Sequence, residues 1–236
     1  MCISLTYGKM EELVDFSIDQ MLKDCNSRLR SFDHAHEAFR KGLYSPCVTD
    51  DELAKDLFVF LASWGMLRGS TGLLQKDYKF FIPIIILRNV KYKPLMDIDP
   101  LSLGSSGVIT LKEYVELIME LKRGIQTYFK SHIFYFLDKK TKKFCPKKVV
   151  ATDTLISKIL LAVFGCVSAY DNYVKKALKK LGIRNTFDEK GLTELIVCLN
   201  KHKTEIKKVV GYVNAKLGVN YPVMRVVDMI LWAYGM

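Results

Sequence analysis

The sequence predicts an all-α fold of about eight to ten helices. Apolar residues recur at spacings of three and four over long stretches, and two of those stretches open with a capping box. The one segment with the Phe and Ile content of a buried strand, Lys79 to Arg88, has Pro83 in its middle and no second strand to pair with.

Taken in order, short helices are predicted over residues 9–25 and 32–41. Thr49, three residues before Glu52, opens a helix from about Asp50 to Leu67, with Leu53, Leu57, Phe60, Leu61 and Trp64 on its inner face. Residues 92–107 contain Pro94, Pro100, Gly104 and Gly107 and read as a break; the chain is expected to be a single helical unit, 1–236, in which that break can separate two lobes, 1–108 and 109–236. Thr110 with Glu113 opens the next helix, whose apolar pattern runs from Leu111 through Ile125 and Phe129 to Phe136. A second break spans Asp138–Lys148. An apolar helix then ends at Phe164 before Gly165, and a second begins near Ser168 and ends before Gly182. Leu192 to Leu217 reads as one long helix, and a last one follows Pro222, a good first-turn residue.

Composition narrows the functional classes. With 236 residues, half of them apolar, and only six prolines, the chain is neither a disordered tail nor a collagen-like repeat. Its six cysteines are scattered without a C-x-x-C pair, and acidic residues from Glu11 to Asp24 occupy the place of a signal peptide's apolar core. Reduced thiols, a cytoplasmic location and no membrane association are expected. The net charge of +11 is uneven: residues 1–121 hold 14 Lys and Arg against 17 Asp and Glu, whereas residues 122–216 hold 21 against 7. The excess lies in Lys139, Lys140, Lys142, Lys143, Lys147 and Lys148, in Lys175, Lys176, Lys179, Lys180 and Arg184, and in Lys201, Lys203, Lys207 and Lys208. Such clusters neutralise phosphates, so a nucleic acid or another polyanion is the expected partner. The alternative is a non-catalytic helical module whose basic face binds an acidic protein.

The segment Thr152 to Lys180 carries the sharpest signal. An apolar helix passes through Phe164-Gly165 to Tyr170-Asp171-Asn172-Tyr173-Val174 at the start of the next helix. This resembles the core of the helix-hairpin-helix base-excision DNA glycosylases, in which a Phe-Gly turn leads to the aspartate of a V-D-T-H-V type motif. The resemblance implies that Asp171 stabilises a cationic sugar and activates the nucleophile. The family's phosphate-binding hairpin is replaced here by Ala151-Thr152-Asp153-Thr154, and Lys158 lies thirteen residues before Asp171, a spacing unlike that of the family's lysine nucleophile. Asp171 also stands where an acidic residue favours a helix N-terminus without any chemistry. Over more of the chain, Phe60 to Tyr78, Thr152 to Val174 and Tyr221 to Trp232 are similar to a family of bacterial hypothetical proteins, a resemblance that implies no activity.

Other segments are secondary candidates. Arg68-Gly69-Ser70-Thr71-Gly72 presents amides and a guanidinium suited to a phosphate, and Trp64, Arg68, Gln75 and Tyr78 form a candidate base-binding pocket. The chain lacks G-x-x-x-x-G-K-[ST] and G-x-S-x-G motifs, and no cofactor is expected. His34 and His36, two residues apart, face different sides of a helix, so no metal is expected. Cys166 lies in apolar surroundings that suppress thiolate chemistry. Asp228, inside an apolar helix, requires a buried arginine, either Arg225 or Arg68.

Overall fold

The computed structural model describes residues 6–81, 83–104, 109–138 and 140–236. Eleven α-helices and one small sheet occur among them. Helix α1 (Tyr7–Lys23) is capped by Thr6 and buries Met10, Val14, Ile18 and Met21, while α2 (Ser31–Gly42) buries Phe32, Ala35 and Phe39. The Thr49–Glu52 capping box opens α3 (Asp50–Ser63), which ends at Ser63, four residues before the predicted end. From there to residue 104 the chain runs through short 3-10 turns and two one-turn helices, α4 (Ile84–Leu87) and α5 (Pro94–Asp97). The Lys79–Arg88 segment forms no strand, and Pro83 serves as the N-cap of α4.

Helix α6 (Leu111–Lys130) opens with the Thr110–Glu113 capping box and ends six residues earlier than its apolar spacing predicts. Ser131 turns its hydroxyl back onto the carbonyl of Tyr128, and the chain leaves as an antiparallel hairpin. Its strands are β1 (Ile133–Leu137) and β2 (Phe144–Lys148), paired from Ile133↔Lys148 to Leu137↔Phe144. Asp138 closes the turn by accepting the amides of Lys140 and Thr141, and Lys142 takes a φ of +57°. The break predicted at Asp138–Lys148 is thus half of a hairpin. The aromatic and β-branched run Ile133-Phe134-Tyr135-Phe136 suits a pleated surface better than a helix.

Helix α7 (Asp153–Phe164), capped by Thr152, is buried along its length from Leu155 to Phe164 and packs against α2 and α3. Helix α8 (Asn172–Lys180) lies along α11 (Val223–Gly235). The single helix predicted over Leu192–Leu217 is two, α9 (Glu189–Lys201) and α10 (Lys203–Leu217), because the backbone departs from helical geometry at His202. One continuous core includes residues from Met10 to Leu231, and α1 packs on α10 and α11, so the N-terminal and C-terminal helices share that core. None of the helices among the described residues is long and apolar enough to cross a membrane. Cys25, Cys47, Cys145 and Cys166 are free thiols, whereas Cys198 is disulfide-bonded, a departure from the expectation of reduced thiols throughout. That expectation rested on the acidic residues in place of a signal peptide's apolar core and on the scattered spacing, neither of which carries information about proximity in the fold.

The hairpin is fastened to the loop after α3. Val150 donates its amide to the Thr71 carbonyl at 3.3 Å, and Lys76 Nζ donates to the Ile133 carbonyl at 2.8 Å. Gly72, at a φ of +80°, lets the ring of Phe134 lie where a Cβ would come within 2.2 Å of it. Gly72→Ala therefore meets both a left-handed backbone and a collision, and is expected to lower stability by about 2–4 kcal/mol in chemical denaturation. An unchanged midpoint would show that the hairpin is not held there.

Candidate functional site

The site begins with a connector between α7 and α8 whose backbone is fixed from several sides. Gly165 ends α7 at a φ of +63°, and a Cβ there would stand 2.4 Å from Pro222. Tyr114 Oη donates to the carbonyl of Cys166 from within the core. Ala169 N donates to Asp228 Oδ1 at 2.7 Å, Tyr170 N donates to Ser157 Oγ at 2.8 Å, and Thr154 Oγ1 donates to the Tyr170 carbonyl at 2.7 Å. This clamp delivers Asp171 to the N-cap of α8, where Oδ1 accepts from the amides of Tyr173 and Val174, each at 3.0 Å. Helix α8 thus begins at Asn172 rather than near Ser168, and Asp171 is itself the cap.

Three buried charges stand behind it. Lys158, 5% exposed on an otherwise apolar helix, donates from Nζ to the Trp64 carbonyl at 3.0 Å and lies 5.2 Å from the centre of the Trp64 ring. Burial holds its pKa below the ordinary lysine range. The negative charges of Asp171 and Asp228 oppose that shift, and the positive charges of Arg68 and Arg28 add to it. Arg225 and Asp228, buried in α11, form an ion pair at 3.2 Å between Nη1 and Oδ2. The guanidinium sits over the rings of Phe32, Trp64 and Tyr221 at 4.7, 5.3 and 5.7 Å, which offsets part of its desolvation. Among the described residues its Nε and Nη2 have no hydrogen-bond partner. Burial pushes the Asp228 carboxyl up to about 6, against the opposing pull of Arg225 and the Ala169 amide.

Two cavities meet at this cluster. The inner one, about 80 Å³, is lined by Arg28, Ser63, Trp64, Arg225, Asp228 and Trp232 together with Lys158 and Asp171. The outer one, about 420 Å³, is lined by Arg68, Ser70, Thr71, Thr154, Asn172, Tyr173 and Lys175, again with Lys158 and Asp171. Asp171 and Lys158 therefore line both the larger cavity and the smaller one. A further depression of about 380 Å³ continues from Tyr173 and Lys175 to Lys176 and Lys179.

The structure brings some of the predicted residues together and separates others. Asp171, Arg68 and Lys175 line the outer cavity and Trp64 the inner one, with Trp64 Nε1 donating to Ser31 Oγ at 3.0 Å. Arg68 Nε donates to the Gly65 carbonyl at 2.8 Å, which fixes the guanidinium at the outer cavity. Lys176 lies over the Tyr173 ring at 5.4 Å, beside the outer cavity. Gln75 and Tyr78 line neither cavity, because the turns after Gly72 carry them away, and Tyr78 instead packs beneath Lys55 at 5.1 Å. Lys140, Lys142, Lys143, Lys147 and Lys148 are exposed on the hairpin, and Lys139 lies outside the described residues. His36 is engaged in packing: its Nδ1 is 2.9 Å from the Ala162 carbonyl, and burial lowers its pKa.

The Lys158–Arg225–Asp228 cluster is what sequence reasoning left unassembled, although Asp228 with Arg225 was one of the two pairings it offered. The available signal was one lysine in the otherwise uncharged stretch Leu155–Phe164 of α7, which is apolar apart from Ser157. Among the described residues no group of three or more His, Cys, Asp or Glu side chains is arranged to hold a metal ion. Chemically, the shared lining offers a carboxylate beside a buried ammonium, under an aromatic ring and partly shielded from water. Of these groups, the carboxylate is the one whose charge can stabilise a positive charge developing next to it, and the Lys158 ammonium works against that effect. Comparison of the chain with protein-family models, with curated proteins and with solved structures finds no match.

Proposed function

We propose that the cleft binds a nucleic-acid strand and that Asp171 supports cleavage of the bond between base and sugar in a nucleotide swung out of its stack. The observation that carries this reading is the place of Asp171, at a helix N-cap and in the lining of both cavities beside buried Lys158. As that bond breaks, its electron pair leaves with the base and positive charge develops on the sugar carbon. The Asp171 carboxylate stabilises that charge and takes a proton from the water whose oxygen bonds to the carbon, and that proton passes on through solvent to the departing base. Trp64 supplies an aromatic face and Arg28 a positive charge to the smaller cavity, and Arg68 and Lys175 supply positive charge along the larger one for flanking phosphates. The resemblance of Phe164–Val174 to the glycosylase core supports the same assignment of Asp171.

Nucleic-acid binding is tested with a duplex containing an abasic site over a salt series. Log affinity is expected to fall steeply with log salt, and Arg68→Ala/Lys175→Ala/Lys176→Ala is expected to make the slope shallower by about 2–3, one phosphate contact for each residue. Absence of binding at about 50 mM salt, or a slope indifferent to the three substitutions, would overturn the placement of the strand.

A further inference from the structure

The hairpin has a face that the cleft does not explain. Residues opposite one another in an antiparallel pair share a side, so Ile133, Tyr135 and Leu137 lie with Lys148, Pro146 and Phe144 on one surface. That surface is open: Ile133 is 44%, Tyr135 54%, Leu137 50% and Phe144 71% exposed. The other side buries Phe134 against Gly72.

Positive charge flanks this apolar face: Lys148 lies on it, Lys140, Lys142 and Lys143 stand at the turn, and Lys147 lies on the opposite side of the sheet. Lys140, Lys142, Lys143, Lys147 and Lys148 are all exposed. The ion pairs among the described residues involve none of them. Asp138, the one acidic residue of the hairpin, is occupied by the amides of the turn. An apolar and aromatic surface flanked by unpaired lysines fits a partner that has flat π-faces and regularly spaced negative charge.

We propose that this hairpin binds a single-stranded segment of nucleic acid, with bases stacked on Tyr135 and Phe144 and phosphates on the lysines. A paired duplex does not fit as well, since it presents base edges, and this face offers almost no groups to hydrogen-bond them. Unpaired bases present the faces that aromatic side chains stack on. The hairpin also adjoins the cleft: it is tied to Thr71, which lines the outer cavity, and β2 continues through residues 149–151 to Thr152 at the start of α7. A strand opened to release one nucleotide into the cleft would run onto this surface. To that extent the proposal rests on the reading of the cleft, and its test keeps the two apart.

The test is fluorescence anisotropy with a labelled, mixed-sequence single-stranded oligonucleotide of about 20 nucleotides, with each variant's fold checked by circular dichroism. Tyr135→Ala/Phe144→Ala is expected to bind about tenfold or more weakly than wild type with an unchanged salt slope, because stacking is lost and ion contacts are kept. Lys143→Ala/Lys147→Ala/Lys148→Ala is expected to make the slope shallower by about 2. The comparison is read from binding alone, with no turnover, so a failure of base excision leaves the hairpin result standing. Wild-type affinity in the Tyr135/Phe144 variant would overturn the proposal. So would cosedimentation with phosphatidylserine vesicles that depends on these two residues while oligonucleotide binding does not.

Discussion

Asp228→Ala is expected to lower stability by about 3–5 kcal/mol, because it strands Arg225 in the core without its counter-charge. The pair is 3% and 4% exposed at its side chains, and Asp228 also holds the Ala169 amide, so the substitution removes an anchor of the connector as well. Arg225→Met/Asp228→Leu, which removes both charges and fills the space, is expected to recover most of the loss. The same residue has a pH signature. Its carboxyl is raised from 3.8 to about 6 by burial, so between those values the folded protein holds a proton that the unfolded chain has released. The contribution to stability is fully present below the unfolded value and is lost as pH rises through the folded one. Relative to Asp228→Asn, the wild type is therefore expected to gain stability as pH falls from about 6 toward 4 in urea titrations at several pH values. A difference that shrinks over that interval would show that the carboxyl is not buried as described.

Asp171→Asn is expected to reduce the single-turnover rate of base release by about a hundredfold to a thousandfold, with little change in thermal stability. The contrast separates chemistry from capping. Asparagine caps a helix about as well as aspartate, so the amides of Tyr173 and Val174 keep an acceptor while the charge facing the cavities disappears. Asp171→Ala is expected to lose the same activity and, in addition, about 1 kcal/mol of stability. If Asp171 served only as a cap, the asparagine variant would match wild type in both measurements.

The helices legible in the sequence were those with local chemistry at their ends. The starts of α3 and α6 follow from Thr49 with Glu52 and Thr110 with Glu113, and α11 follows from Pro222. The hairpin was obscured because Phe129, His132 and Phe136 continue the helical spacing of α6, while its second strand reads as a lysine-rich loop containing Pro146. The split at His202 was hidden in the same way, by apolar spacing that runs on across it.

In the site, Asp171 stood out through its position after Phe164-Gly165, and the Arg225–Asp228 pair was accessible because the partners are three residues apart on one helix. The bond from Lys158 to the Trp64 carbonyl joins positions 94 residues apart, and such a contact exists only once α3 and α7 have packed. Gln75 and Tyr78 were grouped with Trp64 by nearness in sequence, which the turns following Gly72 undo.

The most direct measurement is single-turnover release of free base from a panel of lesion-containing oligonucleotides, resolved by chromatography, with wild type and Asp171→Asn run side by side. The account predicts that wild type releases the base from at least one substrate, leaves an abasic site there, and loses that activity with the asparagine substitution. Equal release by the two proteins, or release by neither from any substrate, would contradict it.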